Sequence, residues 1–294
     1  MSITETISQH YRGLDSWDDA AILAAFVEGQ KRAVASVDRA CEAIASAARA
    51  IVARLGDSGR LIYVGGGTSG LLGALDGMEL AGTFDWPEQR TIFVLAGGTE
   101  LKPGMTGDSE DDSALGGTEI TRLAPQPADV VIAVAASGST PFTLGAVEAA
   151  RKAGALTVGL ANNPDAPLLR QVDKPVLLDS GVEVIAGSTR MGAGTAQKAA
   201  LGLLSSLIMI RLGRVHDGHM VDLRIDNTKL HKRAVTMLVD IVHVDEREAS
   251  IALDACGGHI KQAALVAKGL APDEATRVLA ETQGNLRAAI ARLT

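Results

Sequence analysis

Two glutamates stand just beyond small-residue loops, an arrangement suited to proton transfer. Glu79 closes the run Gly65-Gly66-Gly67-Thr68-Ser69-Gly70-Leu71-Leu72-Gly73-Ala74-Leu75-Asp76-Gly77-Met78-Glu79, and Glu110 lies within Asp108-Ser109-Glu110-Asp111-Asp112. A neutral carboxyl group can give a proton while an ionised one takes another, so a pair held in opposite protonation states makes an acid and a base. The first loop adds an anchor. Backbone N–H groups at a helix start, with Gly67 allowing close approach and Thr68 and Ser69 supplying hydroxyls, would donate several hydrogen bonds to a phosphate dianion. Those hydroxyls separate the loop from a dinucleotide fingerprint, where bare backbone meets the pyrophosphate. A tight strand-to-helix turn is the alternative reading.

A second loop, Ala135-Ala136-Ser137-Gly138-Ser139-Thr140-Pro141, occupies the same position after an apolar run, and Pro141 fits a first helical turn. Ser137 or Thr140 could serve as an N-cap, but two hydroxyl loops, the second with Ser137, Ser139 and Thr140, point to a shared phosphate site. A third cluster, Gly187-Ser188-Thr189-Arg190-Met191-Gly192-Ala193-Gly194-Thr195-Ala196-Gln197-Lys198, opens another helix. Capping accounts for Ser188 or Thr195; Ser188, Thr189, Arg190 and Lys198 gathered near one helix start favour substrate contact. Glu79 reads either as a surface glutamate or as a ligand-facing acid whose pKa burial would raise. The stretch around Glu110 also reads as a solvated loop. It lacks calcium-loop spacing, and His216 with His219 is a poor metal signature, so no metal is expected.

The elements that must position these residues follow from periodicity. Residues 17–55 repeat apolar positions three and four apart, a helical arm in which Gly29 either separates two helices or is tolerated within one. Short continuous β-branched runs follow, at 61–64, 91–95, 130–134, 156–160 and 175–178, separated by helical segments. Continuous runs suit strands covered on both faces, which predicts an α/β, doubly wound parallel sheet with its ligand beyond the carboxyl ends of the strands. Helices are expected over 195–212 and 227–242. In the tail, Glu248-Ala249, Leu253, Gly258, Ile260 and Ala263 recur at a constant offset as Glu274-Ala275, Leu279, Gly284, Leu286 and Ala289, each copy a helix, a glycine turn and a helix. The expected organisation is a helical arm over 1–56, a phosphate-binding α/β domain over 57–243 and a C-terminal helical module over 244–294.

Composition narrows the function classes. A hydrophobic content of 47% supports a packed core, and only 3% aromatics implies small and aliphatic packing with close helix approach. A net charge of −7 without a Lys/Arg run offers no footprint for nucleic acid or an anionic membrane. The longest apolar runs fall short of a membrane span, the first twenty residues carry no signal or transit peptide, and Cys41 and Cys256 form no Cys-x-x-Cys pair. A cytoplasmic location is expected.

With these residues in place, nearly the whole chain resembles the sugar isomerase (SIS) domain proteins of the N-acetylmuramic acid 6-phosphate etherase family. The resemblance runs through Gly67-Thr68-Ser69-Gly70, Leu75-Asp76 with Glu79, Thr83-Phe84, Ala96-Gly97-Gly98, Glu110-Asp111-Asp112, Ala136-Ser137-Gly138, Gly187-Ser188-Thr189-Arg190, Ala193-Gly194-Thr195-Ala196-Gln197-Lys198, Met220-Val221-Asp222 and Asn227-Thr228-Lys229-Leu230. It implies an SIS-type sheet, a homodimer because SIS sites commonly lie between subunits, and hydrolysis of the D-lactyl ether of N-acetylmuramic acid 6-phosphate during peptidoglycan recycling. By position it assigns Glu79 as the acid that assists lactate departure and later activates water, and Glu110 as the base at C2, with no cofactor. The chain departs from the pattern at Leu71 and Ser139, where the family usually carries arginine, and at Gly192, where it carries lysine; Arg190 and Lys198 could compensate. A phosphosugar sensor without turnover, akin to the related glucokinase regulatory protein, and an isomerase using the same C2 base remain open alternatives, as does a different sugar 6-phosphate.

Overall fold

The computed structural model describes residues 2–100 and 107–293. Helices α1 (Asp19–Arg39) and α2 (Cys41–Leu55) precede β1 (Leu61–Gly65), α3 (Gly67–Phe84), β2 (Thr91–Leu95), α4 (Ser113–Arg122), β3 (Val130–Val134), α5 (Pro141–Lys152) and β4 (Leu156–Ala161). There follow α6 (Pro167–Gln171), β5 (Lys174–Leu177), α7 (Gly192–Arg211), and after a two-residue ladder α8 (Thr228–Val242), α9 (Glu246–Ala255), α10 (Ile260–Ala267), α11 (Pro272–Glu281) and α12 (Leu286–Ala291). The chain divides into two compact units, Met1–Met78 with Gln89–Ser205 and Glu79–Glu88 with Ser206–Thr294.

The first unit is the expected α/β sheet. Five strands pair in parallel in the order β2-β1-β3-β4-β5. β1, β3 and β4 are buried at every position, the reason their sequences are unbroken apolar runs rather than alternating ones. Chain order reverses between β1 and β3, the switch point outside whose carboxyl ends ligands bind in sheets of this kind.

Small residues set how closely the helices approach. A side-chain carbon on Gly77 of α3 would lie 2.7 Å from the Phe93 ring and 2.8 Å from that of Tyr63. One on Gly116 of α4 would lie 2.0 Å from the Phe142 carbonyl oxygen, and one on Gly145 of α5 2.0 Å from that of Ser113. α4 and α5 thus meet backbone to backbone, which carries the segment entering α4, with Glu110, to the start of α5.

Of the two readings of Gly29 the second holds: α1 runs through it, and the break falls at Ala40. The glycine is buried, and an added side-chain carbon would come within 3.1 Å of Val184 Cγ2, so it serves close packing instead of a turn. One expectation needs correction: α7 is long and apolar enough to cross a membrane, and more than half of its apolar stretch is buried, as suits a core helix.

In the second unit, Leu238, Leu253, Leu265 and Leu286 join one core among α8–α12, each buried. The tail repeat is seen as α9, a turn at Gly258 and α10, then α11, a turn at Gly284 and α12. Both glycines take left-handed backbone, φ +87° and +73°, which a side chain would strain. Asp245 and Asn285 cap α9 and α12 by accepting the N–H groups of Glu248 and Ala288. Within this unit Lys261 meets Asp222 at 2.6 Å; burial raises the carboxyl pKa and lowers that of the ammonium, so desolvation outweighs their attraction in both.

Candidate active site

Glu110 is pinned from two directions at the carboxyl edge. Its backbone carbonyl accepts the N–H of Phe142 at 3.0 Å, taking one of the donors that the first turn of α5 cannot satisfy internally. Its side chain lies against the loop after β1. A side-chain carbon on Gly66 would sit 2.9 Å from Glu110 Cδ, and one on Gly67 3.1 Å from Oε1. Only residues without side chains admit a carboxyl group so close to the backbone. Gly67 also takes φ +50°, the left-handed turn that starts α3.

Glu110 is half-buried, and among the described residues no cation lies within salt-bridge distance of it. Burial first, and the neighbouring Asp111 charge second, raise its pKa above the ordinary range. The acidic stretch is therefore divided in role: Glu110 turns inward, Asp111 is exposed, and Asp112 caps α4 by accepting the N–H of Leu115 at 2.8 Å.

The hydroxyl loops lie at the starts of α3 and α5. Ser69 is buried, while Thr68 is half-buried with its Cγ2 3.7 Å from where a side chain on Gly194 would begin. The first loop and the third cluster therefore adjoin. In the second loop Ser137 Oγ accepts the N–H of Ser139 at 3.2 Å, and the two side-chain oxygens are 3.1 Å apart. Thr140 occupies the N-cap position of α5 yet makes no capping bond with its side chain, and Gly138 takes φ +65°. Pro141 stands at the first turn as expected.

The third cluster holds a residue that the sequence reading did not single out. Glu183, 4% exposed, accepts the N–H groups of Gly192 at 2.9 Å and Ala193 at 2.8 Å, so a carboxylate of the chain itself occupies the start of α7. Nothing local signals this, because the residue lies nine positions before the helix it caps. Thr195 hydrogen-bonds to Gln30 of α1, and Gln197 donates to Asn162 at 2.9 Å, so these two serve the fold. Ser188 and Thr189 are half-buried in the loop ahead of the helix, and Arg190 is exposed. Lys198 is exposed as well, its Nζ 4.0 Å from where a side chain on Gly202 would begin, one turn further along α7.

Glu79 is exposed on α3, a helix that also exposes Leu75 at 46% and Met78 at 67%. One turn earlier, Asp76 accepts the Tyr63 hydroxyl at 2.9 Å and that of Ser205 at 2.8 Å. At the three departures from the family pattern the structure shows a half-buried Leu71, an exposed Ser139 bonded to Ser137, and Gly192 bonded to Glu183. Asn163, beside Asn162 at the end of β4, is a further buried polar group absent from the sequence reading.

The description "Glucokinase regulatory protein N-terminal SIS domain" matches residues 43–151. The chain is 47% identical over 285 residues to the N-acetylmuramic acid 6-phosphate etherase of Deinococcus radiodurans, covering 97% of this chain and 93% of that one. It is 42% identical over 289 residues to the enzyme of the same name from Rubrobacter xylanophilus, covering 98% and 95%. Among solved structures, a phosphoheptose isomerase from Francisella tularensis is 18% identical with a TM-score of 0.46, covering 66% of this chain and 98% of that one. By the identity and coverage of the two etherases, the chain belongs to the N-acetylmuramic acid 6-phosphate etherase family.

Proposed function

We propose that the protein cleaves the D-lactyl ether of N-acetylmuramic acid 6-phosphate as a carbon–oxygen lyase, by elimination and then hydration. The observation that carries this reading is Glu110, a carboxyl group of raised pKa set between the starts of α3 and α5. Once the sugar ring opens, the aldehyde makes the C2 proton acidic, and the Glu110 carboxylate removes it. The C2=C3 bond forms as the C3–O bond breaks, and Glu79 protonates the departing lactate oxygen. Water then adds at C3 with Glu79 as base, and Glu110 returns the proton to C2, leaving N-acetylglucosamine 6-phosphate and D-lactate. A base with a raised pKa is a stronger proton acceptor, and it serves while it remains ionised at the working pH.

In this reading the phosphate sits at the starts of α3 and α5, where Thr68, Ser69, Ser137, Ser139 and Thr140 supply hydroxyls. The start of α7 is a poor place for it, since Glu183 already fills those N–H groups and a second anion would face a buried carboxylate. Ser188, Thr189 and Arg190 then meet the sugar from their loop rather than through the helix end. Glu79 shares its helix with the exposed Leu75 and Met78, a face that a second copy would cover, so the working form is a homodimer with Glu79 at its interface.

Incubation with N-acetylmuramic acid 6-phosphate should release D-lactate, and Glu79→Gln should abolish it; unchanged release by that variant would remove the mechanism. Mixing Glu79→Gln with Glu110→Gln protein tests the dimer. If each site takes one glutamate from each copy, random exchange restores about a quarter of the sites. No recovery after verified exchange would place both glutamates of a site in one chain.

A further inference from the structure

We infer that residues 2–5 form a strap that positions the substrate loops, with Thr4 and Asn163 as its positioning residues. Asn163 bonds in two directions. Its Oδ1 accepts the backbone N–H of Ile3 at 2.7 Å and the Ser2 hydroxyl at 2.8 Å, while its Nδ2 donates to the Ala136 carbonyl at 2.8 Å and to Thr4 Oγ1 at 3.3 Å. Ala136 immediately precedes Ser137. On the strap's other side the Thr4 carbonyl accepts the N–H of Gly187 at 2.9 Å, and Gly187 immediately precedes Ser188. A side-chain carbon on Gly187, already at φ +77°, would lie 2.8 Å from Glu5 Oε2. One short segment is thereby joined to the residue before each of two hydroxyl loops.

The strap is itself held in place: Thr4 is 0% exposed and Ser2 bonds to it at 2.7 Å. The bonds from the strap end on Asn163 and on loop backbone, so their effect is felt where Ser137 and Ser188 are aimed. None of these groups is placed on the substrate. Their contribution is to hold the loops in the bound arrangement beforehand, so that binding need not order them.

The inference rests on the phosphosugar reading of this site, and a ligand that needs no turnover separates the two. Chains lacking residues 2–5, and the Asn163→Asp variant, which keeps an acceptor for Ile3 but turns an acceptor toward the Ala136 carbonyl, are compared with the parent. The measurements are the Kd for N-acetylglucosamine 6-phosphate by calorimetry, KM and kcat for the lactyl ether, and the unliganded unfolding midpoint. Kd and KM are expected to rise about tenfold in both, with kcat per folded molecule within about threefold of the parent. Thr4→Ser should stay near the parent, and Thr4→Val should weaken binding. Unchanged Kd and KM with only a lowered unfolding midpoint would show a merely structural strap and overturn the inference, as would a fall in kcat at constant KM. A parent that binds the sugar phosphate without releasing lactate sinks the etherase mechanism alone; one that binds no sugar phosphate sinks both.

Discussion

The two edges of the parallel sheet use polar groups in opposite ways. At the amino edge, charges and carbonyls close on one another. The Arg60 guanidinium holds Asp129 with a shortest bond of 2.6 Å, Asp129 also accepts the N–H groups of Arg60 and Gln126, and Arg90 donates to the carbonyls of Gly59, Leu55 and Gly56. Burial alone would raise the pKa of Asp129, but the bonds from Arg60 and Gln126 override it and hold the group below the ordinary range. At the carboxyl edge, glycines, hydroxyls and Glu110 adjoin without such closure, and the same burial pushes that carboxyl upward. Burial is common to both carboxyl groups; neutralisation by a cation is not. An edge closed on itself serves stability, and an edge left open is ready for a ligand.

The comparison breaks if the two carboxyl groups can be exchanged in effect. Glu110→Gln should lower kcat by about 10²–10⁴, the range for loss of a positioned acid or base, measured as D-lactate release. Its stability should move the other way. A carboxyl group with a raised folded-state pKa binds its proton more tightly when folded, so stability falls as pH rises through the interval from the ordinary to the raised value. Glu110→Gln removes that loss, and its unfolding midpoint at neutral pH should equal or exceed the parent's. Asp129→Ala should lower the unfolding free energy by about 3 kcal/mol, because Arg60 loses its partner, while KM and kcat per folded molecule stay unchanged. Denaturant unfolding with the same kinetic assay checks both.

A smaller effect probes how closely Glu110 is fitted. Gly66→Ala would put its new carbon 2.9 Å from both Cγ and Cδ of Glu110. The flexible carboxyl end must yield, and since a displacement of roughly 1 Å at a reacting group can cost about a hundredfold, kcat should fall about tenfold to a hundredfold. The unfolding midpoint should barely change, because no backbone must move. A variant that loses stability in step with activity would mean that Glu110 cannot yield, and that this edge is as closed as the other.

Much of this contrast was legible in the sequence, and what escaped it has a common physical cause. The strands announce themselves as continuous apolar runs because both faces are covered, and two hydroxyl loops because glycine, serine and threonine recur after the first and third runs. Glu110 stood out by its place among acids, though its fit against Gly66 and Gly67 depends on α4 and α5 meeting through Gly116 and Gly145, a contact between segments far apart in the chain. Glu183, Asn163 and Thr4 escaped for the same reason: their partners are 9, about 160 and 159 positions away, and no periodicity encodes such bonds. Gly29 stayed open between two readings because glycine in a helix can mark a break or admit a neighbour, and here it admits Val184.

The smallest expected effect isolates one cause of the raised pKa at the open edge. If Glu110 is the base of the proposed elimination it must be ionised, so kcat/KM should fall on the acid side as pH drops through its pKa. Burial is the larger cause of the shift and the Asp111 charge the smaller. Asp111→Asn removes only the second: Glu110 then loses its proton more readily, and the acid limb moves to lower pH while the plateau is kept. Because Asp111 is exposed, salt screens its charge, so raising ionic strength from 0.01 M to 1 M, where the Debye length contracts from about 30 Å to about 3 Å, should move the parent's limb toward that of the variant. The variant's own limb should respond less. A limb that stays put on substitution would leave burial as the sole cause, and one that moves to higher pH would mean that Asp111 stabilises the ionised base through a bond rather than opposing it through its charge.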